Sequence, residues 1–246
     1  MRTQGWAVDA TGSAGNVPFE AAQSALAAAT HILSSVPPVD GIDVVTARYG
    51  AALGDKWLGY LSSTGVYGDT GGAWVDETAP LRGRRGGRNE ADGAWLARGA
   101  RVFRLPGIYG PGRSALDRVA AGQAHRVDVP EQVFSRIHVD DIVSGVVAAF
   151  DGPPGAYNLA DDRPASQNDV VEAASALLGI ASPPMVALAT LSPQAQAFYG
   201  ENRRVANGKA KRILGWTPIY PDYVAGLRAL ARGNGALRTQ GDKQPG

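Results

Sequence analysis

The stretch of residues 57–68 constrains the fold of this chain more than any other. It begins as an apolar run, Trp-Leu-Gly-Tyr-Leu, and it stops in two serines and a threonine, followed by Gly-Val-Tyr-Gly. A short apolar run of this kind is typical of a strand that is buried on both faces, as in a parallel sheet. Small hydroxyl side chains at the end of such a strand indicate the carboxyl edge of the sheet, where α/β proteins bind ligands. We therefore expect a ligand site at this edge.

Helical and extended patterns alternate along the rest of the chain, which indicates a parallel sheet with helices on both faces. Apolar spacing and Gly/Pro stops predict further strands at residues 6–10, 31–36, 101–105 and 156–159. The same signals predict helices at residues 19–29, 42–53, 89–98, 207–214 and 221–232, one helix capped by Asp140, and one that runs from a Ser166 cap to Gly179.

The composition excludes several classes of site and partner. The 246 residues are 44% hydrophobic and 19% charged, and the net charge of +1 gives no general attraction for nucleic acid or acidic lipid. Without cysteine there is no disulfide or thiolate metal site, and three scattered histidines do not make a metal site. No apolar run approaches the roughly 20 residues that span a bilayer. We expect a soluble cytoplasmic protein with a small-molecule substrate, no membrane or nucleic-acid partner, and a homodimer as one candidate assembly.

Three motifs, in this order, resemble the NAD-dependent epimerase/dehydratase group of extended short-chain dehydrogenases. They are Ser-Ser-Thr-Gly-Val-Tyr-Gly at 62–68, Arg-Leu-Pro-Gly-Ile-Tyr-Gly-Pro-Gly at 104–112, and Phe-Ser-Arg-Ile-His-Val-Asp-Asp at 134–141. The resemblance implies an α/β fold with a Rossmann-like parallel sheet in residues 1–160 and a smaller C-terminal substrate lobe in 161–232. Residues 113–134 would contribute to the substrate cleft, and residues 233–246 would form a flexible tail.

The phosphate-binding turn of that group is missing from the sequence. The nearest segment to G-x-G-x-x-G is 11–15, where a third glycine would fall at Pro18, and residues 5–11 instead resemble the second strand of the group. We therefore expect a sheet truncated at its N-terminal side. Three explanations stay open: the second strand closes onto the fourth, a partner chain repairs the sheet, or the start of the sequence is misassigned.

The resemblance also assigns roles to individual residues at the sheet edge and in the lobe. Thr64, the third hydroxyl, would hydrogen-bond the reacting oxygen of the substrate, with Ser63 beside it. The cofactor, NAD or NADP, would contact Ser34, Val36, Pro37, Ser62, Pro106, Gly107 and Ile108. The substrate would contact Tyr67, Arg84, Arg88, Tyr109, Arg136, Tyr199 and Arg203.

The acid–base pair of the group, Tyr-x-x-x-Lys, falls on Arg84 and Arg88 when Asp92 is aligned with the acidic residue that follows it. A guanidinium stays protonated at working pH and cannot shuttle the proton of the tyrosine. The two arginines are suited instead to holding a phosphate or a carboxylate.

The function implied by the resemblance is NAD(P)-dependent oxidoreduction, epimerisation or dehydration of a nucleotide sugar or a similar polar substrate. Loss of the turn and of the acid–base pair leaves an impaired or inactive enzyme as part of this prediction. One alternative is a non-catalytic nucleotide-sensing or scaffold protein built on the same sheet. A minor alternative is nucleic-acid binding through the Arg-Gly segment at 82–88.

Overall fold

The computed structural model describes residues 5–12 and 15–233. Its helices are α1 (Gln23–Ala28), α2 (Val44–Leu53), α3 (Gly86–Ala97), α4 (Ala115–Ala120), α5 (Val139–Ala148), α6 (Gln167–Leu178), α7 (Pro193–Tyr199), α8 (Gly208–Leu214) and α9 (Tyr223–Gly233). Its strands are β1 (His31–Ser34), β2 (Trp57–Ser63), β3 (Trp74–Val75), β4 (Arg101–Leu105), β5 (Gly107–Tyr109), β6 (Arg126–Val127), β7 (Arg136–His138), β8 (Gly155–Asn158), β9 (Met185–Val186) and β10 (Arg204–Val205). Short 3-10 turns occupy Phe19–Ala21, Thr64–Tyr67 and Leu188–Thr190.

The central sheet has four strands in the order β1-β2-β4-β8, and every neighbouring pair is parallel. Ser34 pairs with Tyr60, and Ser63 pairs with Leu105. Because the strands run the same way, the ends of β1, β2 and β4 reach one edge of the sheet. The predicted parallel α/β sheet, and the common edge for its strand ends, are confirmed.

Helices cover both faces of the sheet, as the alternating pattern predicts. On one face α2 and α3 bury a cluster that includes Tyr60 and Trp95, whose rings stack at 5.4 Å. On the other face α5 and the segment after α8 bury Phe103, Val146 and Trp216. These side chains are almost fully buried, and each contributes about 1.5–3 kcal/mol of burial free energy.

A third cluster forms the helical lobe. It joins α4, α6 and α9 through Leu116, Val171 and Leu227, so residues of the 113–134 segment share a core with the C-terminal helices. The predicted Ser166 cap of α6 is present as a capping box with Asp169. The division of the chain into the predicted domains remains a prediction.

Residues 6–10 form no strand, contrary to the prediction. The backbone N–H of Ala10 donates to Asn16 Oδ1, and the Trp6 ring packs on Phe150 at 5.0 Å and on His31 at 5.1 Å. A local turn and aromatic packing therefore take the place of ladder bonds. Residues 6–10, the expected second strand of the resembled group, therefore close onto no other strand, so that explanation of the truncated sheet is wrong. Within the described residues, β1 and β8 are the outer strands of the sheet.

Among the helix boundaries that differ from the prediction, the starts of α5 and α3 have a visible cause. His138, not Asp140, is the N-cap of α5, since its ring Nδ1 accepts the backbone N–H of Asp140 at 3.1 Å. Helix α3 begins at Gly86 rather than at residue 89. The glycines at its start suggest a loop in the sequence, but Gly87 instead allows the helix to pack closely against the backbone of Gly41. A Cβ atom on Gly87 would lie 2.5 Å from Gly41 Cα.

The predicted tail, residues 233–246, starts one residue too early. Gly233 is the last residue of α9, and residues 234–246 lie outside the described residues. Within the described part of the chain, no helix is both long enough and apolar enough to cross a membrane.

Candidate functional site

A cleft of about 970 Å³ opens at the carboxyl edge of the sheet, between the ends of β2 and β4 and the helical lobe. Residues 63–65 and 106–109 form its floor on the sheet side. Its other walls come from the segment before and at the start of α3, from the start of α4, and from α7. The cleft therefore lies where the sequence places a ligand site, and it brings together Ser63, Thr64, Arg84, Arg88, Pro106, Gly107, Ile108, Tyr109, Arg136 and Arg203.

The two candidate catalytic hydroxyls differ in what they already bind. Ser63 caps the 3-10 turn that follows β2, since its Oγ accepts the backbone N–H of Gly65 at 3.1 Å. Thr64 is 4% exposed and lines the cleft, and its hydroxyl has no hydrogen-bond partner among the described residues. Of the two, Thr64 is the hydroxyl that remains available to a ligand.

Positive charge dominates the cleft walls. Seven arginines line it against two carboxylates, Asp117 and Glu201. A concave surface with such an excess of one sign attracts ligands of the other, here anions. The arginines are Arg84, Arg85, Arg88, Arg113, Arg118, Arg136 and Arg203.

These arginines fall into a structural and an available set. Arg136 is 7% exposed and donates to the carbonyls of Phe134 and Ala165, both at 2.8 Å. The bond to Ala165 joins β7 to the segment before α6. Burial lowers the pKa of Arg136. By contrast, three guanidinium groups have no hydrogen-bond or ion-pair partner within the described residues. They belong to Arg85, Arg113 and Arg118, none of which the sequence analysis singles out.

Ser62 and Tyr67 do not line the cleft, where their predicted contacts with cofactor and substrate would lie. Ser62 Oγ donates to Asp92 Oδ2 at 2.7 Å, and Arg104 Nη2 lies 2.8 Å from Asp92 Oδ1. The Tyr67 hydroxyl donates to Asn158 Oδ1 at 2.7 Å and accepts from Arg104 at 3.0 Å. Burial raises the pKa of Tyr67 to about 12, although the neighbouring guanidinium opposes this. These residues form a buried hydrogen-bond network beneath the carboxyl edge of the sheet.

Four other predicted contacts also lie outside the cleft. Ser34, Val36 and Pro37 reach the same edge at the end of β1, but they do not line the cleft. Tyr199 does not line the cleft; its ring centroid lies 5.9 Å from that of the cleft residue Phe134. Phe134 and Phe198 line the cleft and stack on each other at 4.4 Å.

Asp161 brings an ionisable carboxyl into the interior next to Arg136. It is 2% exposed, and its Oδ2 atom has no hydrogen-bond partner among the described residues. Burial raises the pKa of Asp161 to about 8, and the attraction of Arg136 only partly opposes it. The folded chain therefore holds a proton on Asp161 that an unfolded chain releases near pH 4.

This proton makes stability depend on pH. Between about pH 4 and about pH 8 the folded state binds more protons at Asp161 than the unfolded state, so its contribution to stability falls as pH rises. We expect Asp161→Asn to flatten this decline when urea unfolding is compared at about pH 5 and about pH 8. An unchanged decline in the variant would show that Asp161 ionises normally in the fold.

The described residues do not fit a complete dinucleotide site. At the carboxyl edge they contain no glycine-rich turn that opens a helix toward the sheet, which is the element that holds a pyrophosphate. Aligning Asp92 as in the sequence analysis predicts Arg84 and Arg88 at the positions of the acid–base tyrosine and lysine. Within the same residues, no group of three or more histidine, aspartate or glutamate side chains is placed to hold a metal ion.

The sequence analysis did not predict that Asp92 is buried with Ser62 and Arg104, nor that Glu201 lines the cleft. It used Asp92 only to align the chain, because 30 residues separate it from its partner Ser62. Arg113 and Arg118 carried one usable signal: they follow the Pro-Gly loop at the end of the second motif, close to the predicted pocket.

No protein-family model matches this chain. The structure of a functionally unknown conserved protein from Silicibacter pomeroyi DSS is 41% identical and has a TM-score of 0.84, covering 94% of this chain and 92% of that one. A curated 3-diazoavenalumate denitrifying reductase from Streptomyces is 33% identical over 138 residues. That match covers 51% of this chain and 45% of the reductase, so the likeness spans less than half of that relative's length.

Two epimerase structures share the fold at lower identity. UDP-glucose 4-epimerase from Thermotoga maritima, solved with UDP-glucose, is 16% identical with a TM-score of 0.69, and 95% of this chain and 93% of that chain are covered. UDP-glucuronic acid 4-epimerase from Bacillus cereus, solved with NAD, is 17% identical with a TM-score of 0.68, and the match covers 93% of this chain and 78% of that chain. The chain thus belongs to the family of the Silicibacter pomeroyi protein and has the fold of the NAD-dependent epimerase/dehydratase group of extended short-chain dehydrogenases.

Proposed function

We propose that this protein is an enzyme of the epimerase/dehydratase type whose described residues bind an anionic polar small molecule, of the nucleotide-sugar class, in the arginine-lined cleft. One observation carries the proposal: the unbonded Thr64 hydroxyl and three unpaired guanidinium groups line the same cleft at the carboxyl edge of a parallel sheet. The named activities of the epimerases and of the reductase support the reaction class.

Thr64 and the arginines Arg113, Arg118, Arg84 and Arg88 have different tasks in this proposal. Arg113 and Arg118 neutralise the anionic part of the substrate through charge-assisted hydrogen bonds. Thr64 donates its hydroxyl proton in a hydrogen bond to the oxygen at the reacting carbon. Since Arg84 and Arg88 cannot give or take a proton, we assign binding and orientation to these residues and no proton transfer.

Titration calorimetry with UDP-glucose tests the proposal. Changing both Arg113 and Arg118 to alanine should weaken binding about ten-fold or more, since each charge-assisted hydrogen bond contributes about 1.5–3 kcal/mol. Thr64→Ala should weaken binding by about two- to ten-fold, and Thr64→Ser should restore it. Arg98→Ala is the control for the loss of one guanidinium charge and is compared with Arg113→Ala and Arg118→Ala made singly, because Arg98 lies outside the cleft and bonds the Gly50 carbonyl.

No binding of UDP-glucose or of any other anionic sugar nucleotide by the wild-type chain would overturn the proposal. Equal losses in the Arg98→Ala control would show that the effect is general charge and not the cleft. Parallel titrations with NAD and NADPH examine the cofactor, and the proposal expects weak binding of both to the residues described above.

A non-catalytic ligand sensor is the second candidate. The alignment that puts Arg84 and Arg88 at the positions of the acid–base pair favours this candidate, since neither arginine can transfer a proton. Tight UDP-glucose binding without conversion of the sugar, in the presence of NAD, would support this candidate over the enzyme. RNA retention that is lost in an Arg84→Ala, Arg88→Ala variant would instead support the minor nucleic-acid alternative.

A further inference from the structure

Glu201 places a carboxylate in the wall of a cleft that otherwise suits anions. It follows α7, and its side chain is 14% exposed. Its Oε1 lies 2.6 Å from Arg84 Nε, and its Oε2 lies 2.6 Å from Arg203 Nη1. One carboxylate therefore joins an arginine from the segment before α3 to an arginine beside β10.

Both arginines have a second anchor that does not involve Glu201. Arg84 Nη2 donates to the carbonyl of Ala197 at 2.9 Å, and Arg203 Nη1 donates to the carbonyl of Gly68 at 2.7 Å. If the Glu201 side chain turned away, these bonds would still hold the two guanidinium groups in place. The position of the carboxylate is thus a preformed position for an anion.

We propose that Arg84 and Arg203 form a binding subsite for a phosphoryl group, and that the Glu201 carboxylate occupies this subsite in the ligand-free protein. The inference rests on the proposed function, because it adds a phosphoryl contact at Arg84 and Arg203 to the anion contacts assigned to Arg113 and Arg118. A phosphoryl group offers more acceptor oxygens and more charge than a carboxylate to the same two donors.

The electrostatics of Glu201 agree with this assignment. Burial by itself would raise the pKa of Glu201, but hydrogen bonds from Arg203 and Arg84 hold it below its ordinary value. Glu201 is therefore ionised at neutral pH and competes with an anionic ligand for the same donors. The side chain of Arg84 is 60% exposed, so this donor is accessible to a ligand from solvent.

Glu201→Gln tests the subsite, with inorganic pyrophosphate as the probe in titration calorimetry at low salt. Glutamine keeps the shape and removes the competing charge. We expect the Kd for pyrophosphate to fall about five-fold, which corresponds to about 1 kcal/mol. Glu172→Gln is the matched control: it removes the same charge from an exposed ion pair with Arg126, outside the cleft, and should leave the Kd unchanged.

A second variant keeps the test decisive. Adding Arg84→Gln to Glu201→Gln should reverse the gain, because one of the two donors is lost while the exposed position tolerates the change. An unchanged or weaker affinity in Glu201→Gln would overturn the subsite, since Glu201 would then orient the arginines without occupying their anion position. So would the absence of pyrophosphate binding in every variant.

The two proposals fail in different ways. Loss of UDP-glucose binding with an intact pyrophosphate response would reject the nucleotide-sugar substrate and keep the subsite. UDP-glucose binding that is indifferent to Glu201→Gln and to Arg84→Gln would reject the subsite and keep the proposed function.

Discussion

Replacing Asp92 by alanine is expected to lower the free energy of unfolding by about 3–5 kcal/mol, because it leaves the buried Arg104 guanidinium without its counter-charge. The side chain of Asp92 is 0% exposed and that of Arg104 is 3% exposed. The ion pair is reinforced by a second contact from Arg104 Nε at 3.1 Å and by the Ser62 hydroxyl. Urea unfolding of the variant and the wild-type chain measures the difference.

Two further variants separate burial from charge. Glu172→Ala removes an acid from an exposed ion pair, with Glu172 47% exposed, and should change stability by less than about 1 kcal/mol. Replacing the whole pair, as Asp92→Leu with Arg104→Met, should recover most of the loss, since an apolar pair leaves no orphaned charge. An Asp92→Ala variant as stable as the Glu172→Ala control would contradict this account.

The network around Asp92 also explains how the edge of the sheet is held. Ser62 and Tyr67 stand on either side of Ser63 and Thr64 in sequence, and both are fixed by buried hydrogen bonds to Asp92, Asn158 or Arg104. The short turn between them is therefore anchored at both ends. Thr64 can present an unbonded hydroxyl to the cleft because its neighbours carry the structural bonds.

The main features of the fold could be predicted from sequence patterns. An apolar run that ends in hydroxyls predicts a buried strand and the edge where it stops, and residues 57–63 behave accordingly. Helix ends carry local chemical signals, so the capping Ser166 and the left-handed Gly179 mark the bounds of α6 correctly. Such signals depend only on neighbouring residues, which is why they can be recognised without the structure.

Other features depend on contacts between distant segments. Residues 6–10 have strand-like composition, yet Asn16 and Phe150 offer Ala10 and Trp6 other partners. Ser62, Ser63 and Thr64 are similar in chemistry, and the point at which β2 gives way to a 3-10 turn decides which hydroxyl is left unbonded in the cleft. The arginines of the cleft come from several segments, and their convergence is a property of the fold.

Gly83 determines how closely two of these segments approach. Its backbone N–H donates to the carbonyl of Val66 at 2.8 Å, which joins the segment carrying Arg84 to the turn carrying Thr64. A Cβ atom at this position would lie 2.3 Å from the Gly65 carbonyl oxygen and 2.9 Å from Val66 Cα. Both neighbours are backbone atoms, so the added methyl group has to push the two segments apart.

Gly83→Ala is therefore expected to destabilise the fold by about 1–3 kcal/mol through overpacking. It should also weaken UDP-glucose binding by about 10- to 100-fold, because a displacement of about 1 Å prevents Thr64 and the arginines from binding the same ligand at once. Titration calorimetry and urea unfolding of the same preparation measure both effects.

Gly86→Ala is the matched control, three residues further along the same segment. A Cβ atom at Gly86 meets nothing within 4 Å, and alanine, which loses less conformational freedom than glycine, favours the start of α3 by at most about 0.5–1 kcal/mol. The two glycine-to-alanine changes should thus have opposite signs on stability, and only the first should affect binding. Equal behaviour of the two variants would mean that the contact between Gly83 and Gly65 does not set the distance between the arginine segment and Thr64.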